Sequence, residues 1–256
     1  MDYVRTVDFD AFPADRFDYQ VLADTEAAVI LAIGLPPGGE GPPRHVHTGD
    51  QLFYVLRGEL TVELGEAEHQ VPPDSMVFIP EGLPHRNANR GTAPEVHLEM
   101  IVPPPHRGQP LFHPHPERVG KANRPGAVRA LDTAGFAESG NLKGFATQRL
   151  ATRANGSEHM QLYVAEIQPG ASGPDWHIHR FEQLYFILAG ELTVDVADQH
   201  VVAGAGSLVY LPAGVPHRNT NAGNVAERHI AMLIPEPGTG EPFDLGVQFA
   251  LTGKEF

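Results

Sequence analysis

Hydrophobic positions in this chain fall in short blocks, with no sustained helical stripe. Leu52-Phe53-Tyr54-Val55-Leu56 and Leu184-Tyr185-Phe186-Ile187-Leu188 are β-branched or aromatic runs, each followed one residue later by Gly-Glu-Leu-Thr-Val. Turn signals bound them at the 8–12-residue rhythm of a sandwich or barrel. They are Gly65-Glu66, Pro72-Pro73-Asp74 and Pro80-Glu81-Gly82 in the first half, then Gly204, Gly206 and Pro212-Ala213-Gly214 in the second. Phe53, Phe78, Tyr185 and Tyr210 sit among apolar neighbours and are expected in the core. The pattern predicts an all-β chain of two small barrels or jelly rolls.

The two halves repeat one another. His45-Val46-His47 is answered by His177-Ile178-His179, an offset of 132 residues that recurs at Gln51/Gln183, Gly58/Gly190, His85/His217, His97/His229 and Pro103/Pro235. Residues 45–89 and 177–221 share 19 identities in 45 positions without a gap. Expected boundaries are residues 1–110 for the first domain, 111–143 for a Pro/Gly-rich connector and 144–256 for the second domain. One short helix is expected near Ala127–Ala137. His113-Pro114-His115-Pro116 has the look of a metal pair but no local partners, and is read as connector.

Composition narrows the function. The net charge of −14 over 256 residues, with lysine only at 121, 143 and 254, would repel a phosphate backbone, so nucleic acid is not an expected partner. The absence of cysteine removes disulfides, thiolate metal sites and thiol nucleophiles. The start Met1-Asp2-Tyr3-Val4-Arg5 lacks the order of a secretory signal, and the apolar run from Ala27 to Ile33 is too short to span a bilayer, so a cytoplasmic protein without a membrane partner is expected. A monomer or homodimer is equally compatible with two tandem barrels.

Fourteen histidines are many for this length, and their placement carries the chemistry. Two histidines at i and i+2 on a strand point to the same face. Gln51 and His85 join His45 and His47 as candidate ligands, and Gln183 and His217 join His177 and His179 at the same offset. Three imidazoles and an amide oxygen suit a divalent transition metal, Fe, Ni, Mn, Co, Cu or Zn, two per chain, with coordination positions left for water or substrate.

Both halves resemble the two motifs of the cupin superfamily: Gly39, His45, His47, Gln51, Gly58 with Pro80, Gly82, His85, Asn89, then His177, His179, Gln183, Gly190 with Gly206, Pro212, Gly214, His217, Asn221. The resemblance is to a bicupin, which implies two tandem double-stranded β-helix barrels. Three departures stand out. The family's glutamate is Gln51 and Gln183 here, Asp74 replaces the glycine opening the second motif, and Ala171 replaces the glycine before His177. An amide cannot serve as a general base. His97 and His229, on the strand after the second motif, are the candidates for that role, because Asp50 and Glu182 should face away from the site.

Resemblance to quercetin-dioxygenase-like bicupins implies dioxygen-dependent cleavage of an enolisable aromatic or flavonol-like small molecule. Resemblance to bicupin isomerases of the bacilysin pathway implies instead an enolate-forming isomerase of a 2-keto acid. A non-catalytic barrel that only holds a metal or a small molecule is the third reading.

Overall fold

The computed structural model describes residues 3–118, 120 and 122–248, so the outer ends of both expected domains lie outside the described residues. Each half is a jelly-roll barrel of two facing antiparallel sheets. In the first, a six-stranded sheet carries Asp50–Arg57 and Glu95–Val102 side by side, and a five-stranded sheet carries His45–Val46, His85–Ala88 and Leu60–Leu64. The second repeats this with Glu182–Ala189 beside Glu227–Ile234 and His177–Ile178 beside His217–Thr220.

The apolar runs are continuous because both faces of these strands are buried. Phe53 and Val55 point into the first barrel with Ile33, Leu60 and Val62, whereas Leu52 and Tyr54 point outward. Tyr185 and Ile187 line the second barrel while Leu184 and Phe186 point outward. The outward sets meet, with Met76, Phe78, Leu98, Met100, Leu162, Met232 and others, in one core between the large sheets of the two halves. The halves are thus packed back to back, and an arm at the start of the chain, Val4–Thr6, pairs with Ser207–Leu211 of the second barrel.

The stretch between the repeats is structured. Ala127–Ala130 is a strand, not the expected helix: it pairs with Ser75–Ile79 and closes an edge of the six-stranded sheet. That pairing satisfies main-chain groups of both strands, whereas a helix would leave the edge open. His113–Pro114 pairs with His45–Val46, and Leu245–Gly246 pairs with His177–Ile178 at the same 132-residue offset. Each barrel mouth is therefore roofed by a segment that follows its last long strand. Asp74 adopts φ +57 where its counterpart Gly206 has φ +86, so the departure from the glycine pattern leaves the left-handed turn in place. No helix among the described residues is long and apolar enough to cross a membrane.

Candidate metal centre

Strand pairing builds each site directly. His45 lies opposite His85 in register, and His177 lies opposite His217. The tight turns at Gly82 and Gly214, both at φ +75, aim their amides at the carbonyl oxygens of His47 (3.1 Å) and His179 (2.8 Å), fixing the second histidine of each pair. The three imidazoles converge in each half, with ligand atoms within 4.8 Å of one another, and all six are buried.

The rings are held in one tautomer. Nδ1 of His45, His47 and His85 donates to the carbonyls of Pro43, Leu111 and Leu83 at 2.7, 2.8 and 2.8 Å. Nδ1 of His177, His179 and His217 donates to Asp175, Phe243 and Val215 at 2.7, 2.8 and 2.9 Å. Every Nε2 is left as a lone-pair donor turned toward its neighbours, the arrangement of metal-ligating histidines anchored from behind. Burial lowers the pKa of His45 and His179, takes His47 and His217 to about 3, and holds His85 well below its ordinary value. Neutral imidazoles are what a cation requires.

The fit to a metal shows in groups that lack partners. Gln51 Oε1, His85 Nε2 and His179 Nε2 are buried with no hydrogen bond. His45 Nε2 faces His47 Nε2 at 3.1 Å, and His217 Nε2 faces Gln183 Oε1 at 3.1 Å. With each Nδ1 carrying the ring proton, these are acceptors against acceptors, an arrangement that a shared cation relieves. The residues present therefore suit a divalent transition metal in both halves.

The candidate bases His97 and His229 stand apart from the imidazole clusters, and Asp50 and Glu182 turn away from the sites as strand parity predicts. His97 and His229 point into their barrels but are fully buried, each with Nδ1 3.0 Å from both carboxyl oxygens of a buried glutamate, Glu95 and Glu227. Their rings pack on Phe53 and Tyr185 at 4.8 and 4.6 Å. Asp50 and Glu182 face out of their own barrels: Asp50 is paired with Arg124 at 2.6 Å, and Glu182 accepts from Thr25 at 2.8 Å. His113 and His115 sit in the roof beside the first site, not in a free connector, with the His115 amide bonded to the Arg44 carbonyl at 3.0 Å.

A cavity of 1370 Å³ opens over the first site. His45, His47 and Gln51 form its floor, Leu31, Ile33, Phe53 and Phe112 contribute apolar wall, and the segment Pro104–Gln109 covers one side. Glu182 and Tyr210 of the second barrel complete the mouth. Glu99 is the feature that the motifs did not supply. It faces this cavity, is hydrogen-bonded by the Gln51 side chain, and has its pKa raised by burial. The signal was present in the strand period: Glu99 is two residues beyond His97 and shares its inward face.

In comparison with known proteins, the family described as "Cupin domain" matches residues 32–102 and 163–231. No curated protein matches the sequence. AerE from Microcystis aeruginosa superposes with a TM-score of 0.65 at 16% identity, over 91% of this chain and 97% of that one. Oxalate decarboxylase of Bacillus subtilis, described for its Mn(II) centres, gives 0.65 at 14% identity over 87% and 73%. Salicylate 1,2-dioxygenase from Pseudaminobacter salicylatoxidans gives 0.66 at 10% identity over 82% and 71%. At these identities the likeness is one of fold.

Proposed function

Because the chain belongs to the cupin family through both of its halves, we propose that it is a metal-dependent enzyme whose N-terminal barrel cleaves an enolisable, largely apolar small molecule with dioxygen. The observation that carries this reading is the cavity itself, where a carboxyl group, Glu99, stands in an apolar wall above three converging imidazoles. The fold is shared by a dioxygenase and a decarboxylase, so the choice of reaction rests on these residues.

His45, His47 and His85 would hold the metal through Nε2, with the Gln51 oxygen beside them. A divalent transition metal bound there supplies a Lewis acid that lowers the pKa of an enolisable group. Phe53 and Phe112 flank a flat apolar body and keep water from it. Glu99 takes the proton released on enolisation, the task that the glutamine cannot perform. Carbon–carbon cleavage then places both atoms of dioxygen in the products.

One observation favours a second reading, the isomerase of a 2-keto acid. Arg107 is the single Arg or Lys among the described residues lining the cavity, and a guanidinium matches a carboxylate. Oxygen uptake with flavonols or 1,3-diketones supports the oxygenase. Anaerobic spectral change with 2-keto acids supports the isomerase, and silence in both with metal bound leaves a binding barrel.

A further inference from the structure

The two histidine clusters are built alike, but the positions around them are not. At the 132-residue offset Gly49 becomes Phe181, Leu31 becomes Tyr163, Glu99 becomes Ala231 and Phe112 becomes Asp244. The first two of these changes fill the second barrel, as does Phe243 at the position of Leu111, whereas Ala231 removes the carboxyl. Phe181 stacks on His179 with ring centroids 4.5 Å apart at 15°, and Phe243 stands edge-on to both rings at 5.6 Å. The Tyr163 side chain hydrogen-bonds Gln183, occupying the side of the amide that meets Glu99 in the first barrel.

The fourth change brings a carboxylate to the cluster from the opposite direction. Asp244 Oδ1 lies 3.7 Å from His177 Nε2 and 3.7 Å from His179 Nδ1. Two ligands of one metal at about 2.0–2.1 Å lie about 3.0–3.4 Å apart, so Asp244 is a few tenths of an ångström from such a separation from His177 Nε2. Its contact with His179 is to Nδ1, the nitrogen bonded to the Phe243 carbonyl and not the ligand atom. Asp244 is held there by the backbone. The preceding residue, Phe243, accepts the bond from His179 Nδ1, and the following strand Leu245–Gly246 pairs with His177–Ile178. His179 Nε2 is buried with no hydrogen bond. In the first barrel the equivalent roof residue is Phe112, whose ring packs 4.8 Å from His45 and offers no donor atom.

On the reading of both clusters as metal sites, we propose that Asp244 is a ligand of the C-terminal centre. It restores from the roof the negative charge that Gln183 lacks, and it takes the coordination position that a guest would need. The two centres thus divide their work. The C-terminal centre is capped, exchanges its metal slowly and serves the fold, and the N-terminal centre, with Glu99 set back in the wall, stays open to substrate.

Metal release separates the two ideas. Full-length protein loaded with cobalt(II) is mixed with excess chelator, and release is followed by the cobalt absorption band. The proposal expects two cobalt ions per chain leaving in two phases, with the slow phase absent from H177A/H179A. D244N, nearly isosteric, should speed that phase at least tenfold, and F112D should slow the fast phase. Circular dichroism confirms that each variant is folded. Two ions leaving with a slow phase that D244N does not change overturns the assignment of Asp244 alone. Failure of the wild-type chain to bind cobalt overturns the metal reading beneath it.

Discussion

The side-chain amide of Gln51 donates to the carboxyl of Glu99 inside the first barrel, leaving its own oxygen buried and unpaired among the histidines. One residue thus links the proposed proton acceptor to the proposed metal. Burial is the main cause of the raised Glu99 pKa, opposed by His97 and by the amide bond.

Removing the acid while keeping its shape therefore tests its role. Glu99→Gln should lower kcat by about 10²–10⁴, the range of general acid–base contributions, with substrate affinity and cobalt content little changed. The wild-type rate should rise with pH as Glu99 ionises, above the ordinary glutamate range, and that limb should vanish in the variant. A profile that keeps the limb in Glu99→Gln places the base on another residue.

The ligand assignment makes a count. His45→Ala with His47→Ala should remove one metal per chain, and His177→Ala with His179→Ala the other, measured by elemental analysis of purified protein. Each pair supplies two of three imidazoles, so the remaining donors hold a divalent ion weakly. A content of two metals after either change would show that the ion sits elsewhere.

Acid should destabilise the metal-free protein in a defined window. His47 and His217 are neutral in the fold down to about pH 3, against an ordinary value of 6.5, because burial disfavours their charged form. Folded pKa values below the unfolded ones mean that this stability is present above pH 6.5. It is lost as pH falls toward the folded value, since the unfolded chain takes up protons that the native one refuses. Each such histidine contributes a slope of about 1.4 kcal/mol per pH unit inside that window. Urea midpoints of chelator-treated protein should fall steeply between pH 6 and pH 4, and less steeply in His217→Gln; equal slopes would contradict the burial argument.

The 132-residue repeat made the two barrels and both histidine clusters legible, because strand parity and register leave little choice once His45 and His85 must meet. What escaped was carried by distant pairing. The roof strands at His113–Pro114 and Leu245–Gly246 are too short to signal themselves, and each exists through a partner far back in the chain. Asp244 and the carbonyls of Leu111 and Phe243 reach the histidines only by way of those strands. The unbroken apolar run at Leu52–Leu56 marked a strand. Its second meaning, that Leu52 and Tyr54 cover the other half of the molecule, follows only when both faces are known to be buried.

One turn hidden from the sequence offers a stability test. Val196 pairs with Gln199 across a two-residue hairpin loop, and Ala197 at its first position has φ +52. The matching residue in the first barrel is Gly65, at φ +57, in the loop between Leu64 and Ala67. Glycine announces such a turn, whereas alanine does not, because its Cβ crowds the backbone in the left-handed region at a cost of about 1–2 kcal/mol. Ala197→Gly should relieve that strain, partly offset by the greater freedom glycine gains in the unfolded chain, about 0.5–1 kcal/mol. The net effect expected is a small rise in thermal midpoint, about 1–3 °C for a chain of this size, read by calorimetry on metal-loaded protein. Gly65→Ala should lower the midpoint by a similar amount. If both substitutions moved the midpoint in the same direction, the loops would not share the conformation assigned to them.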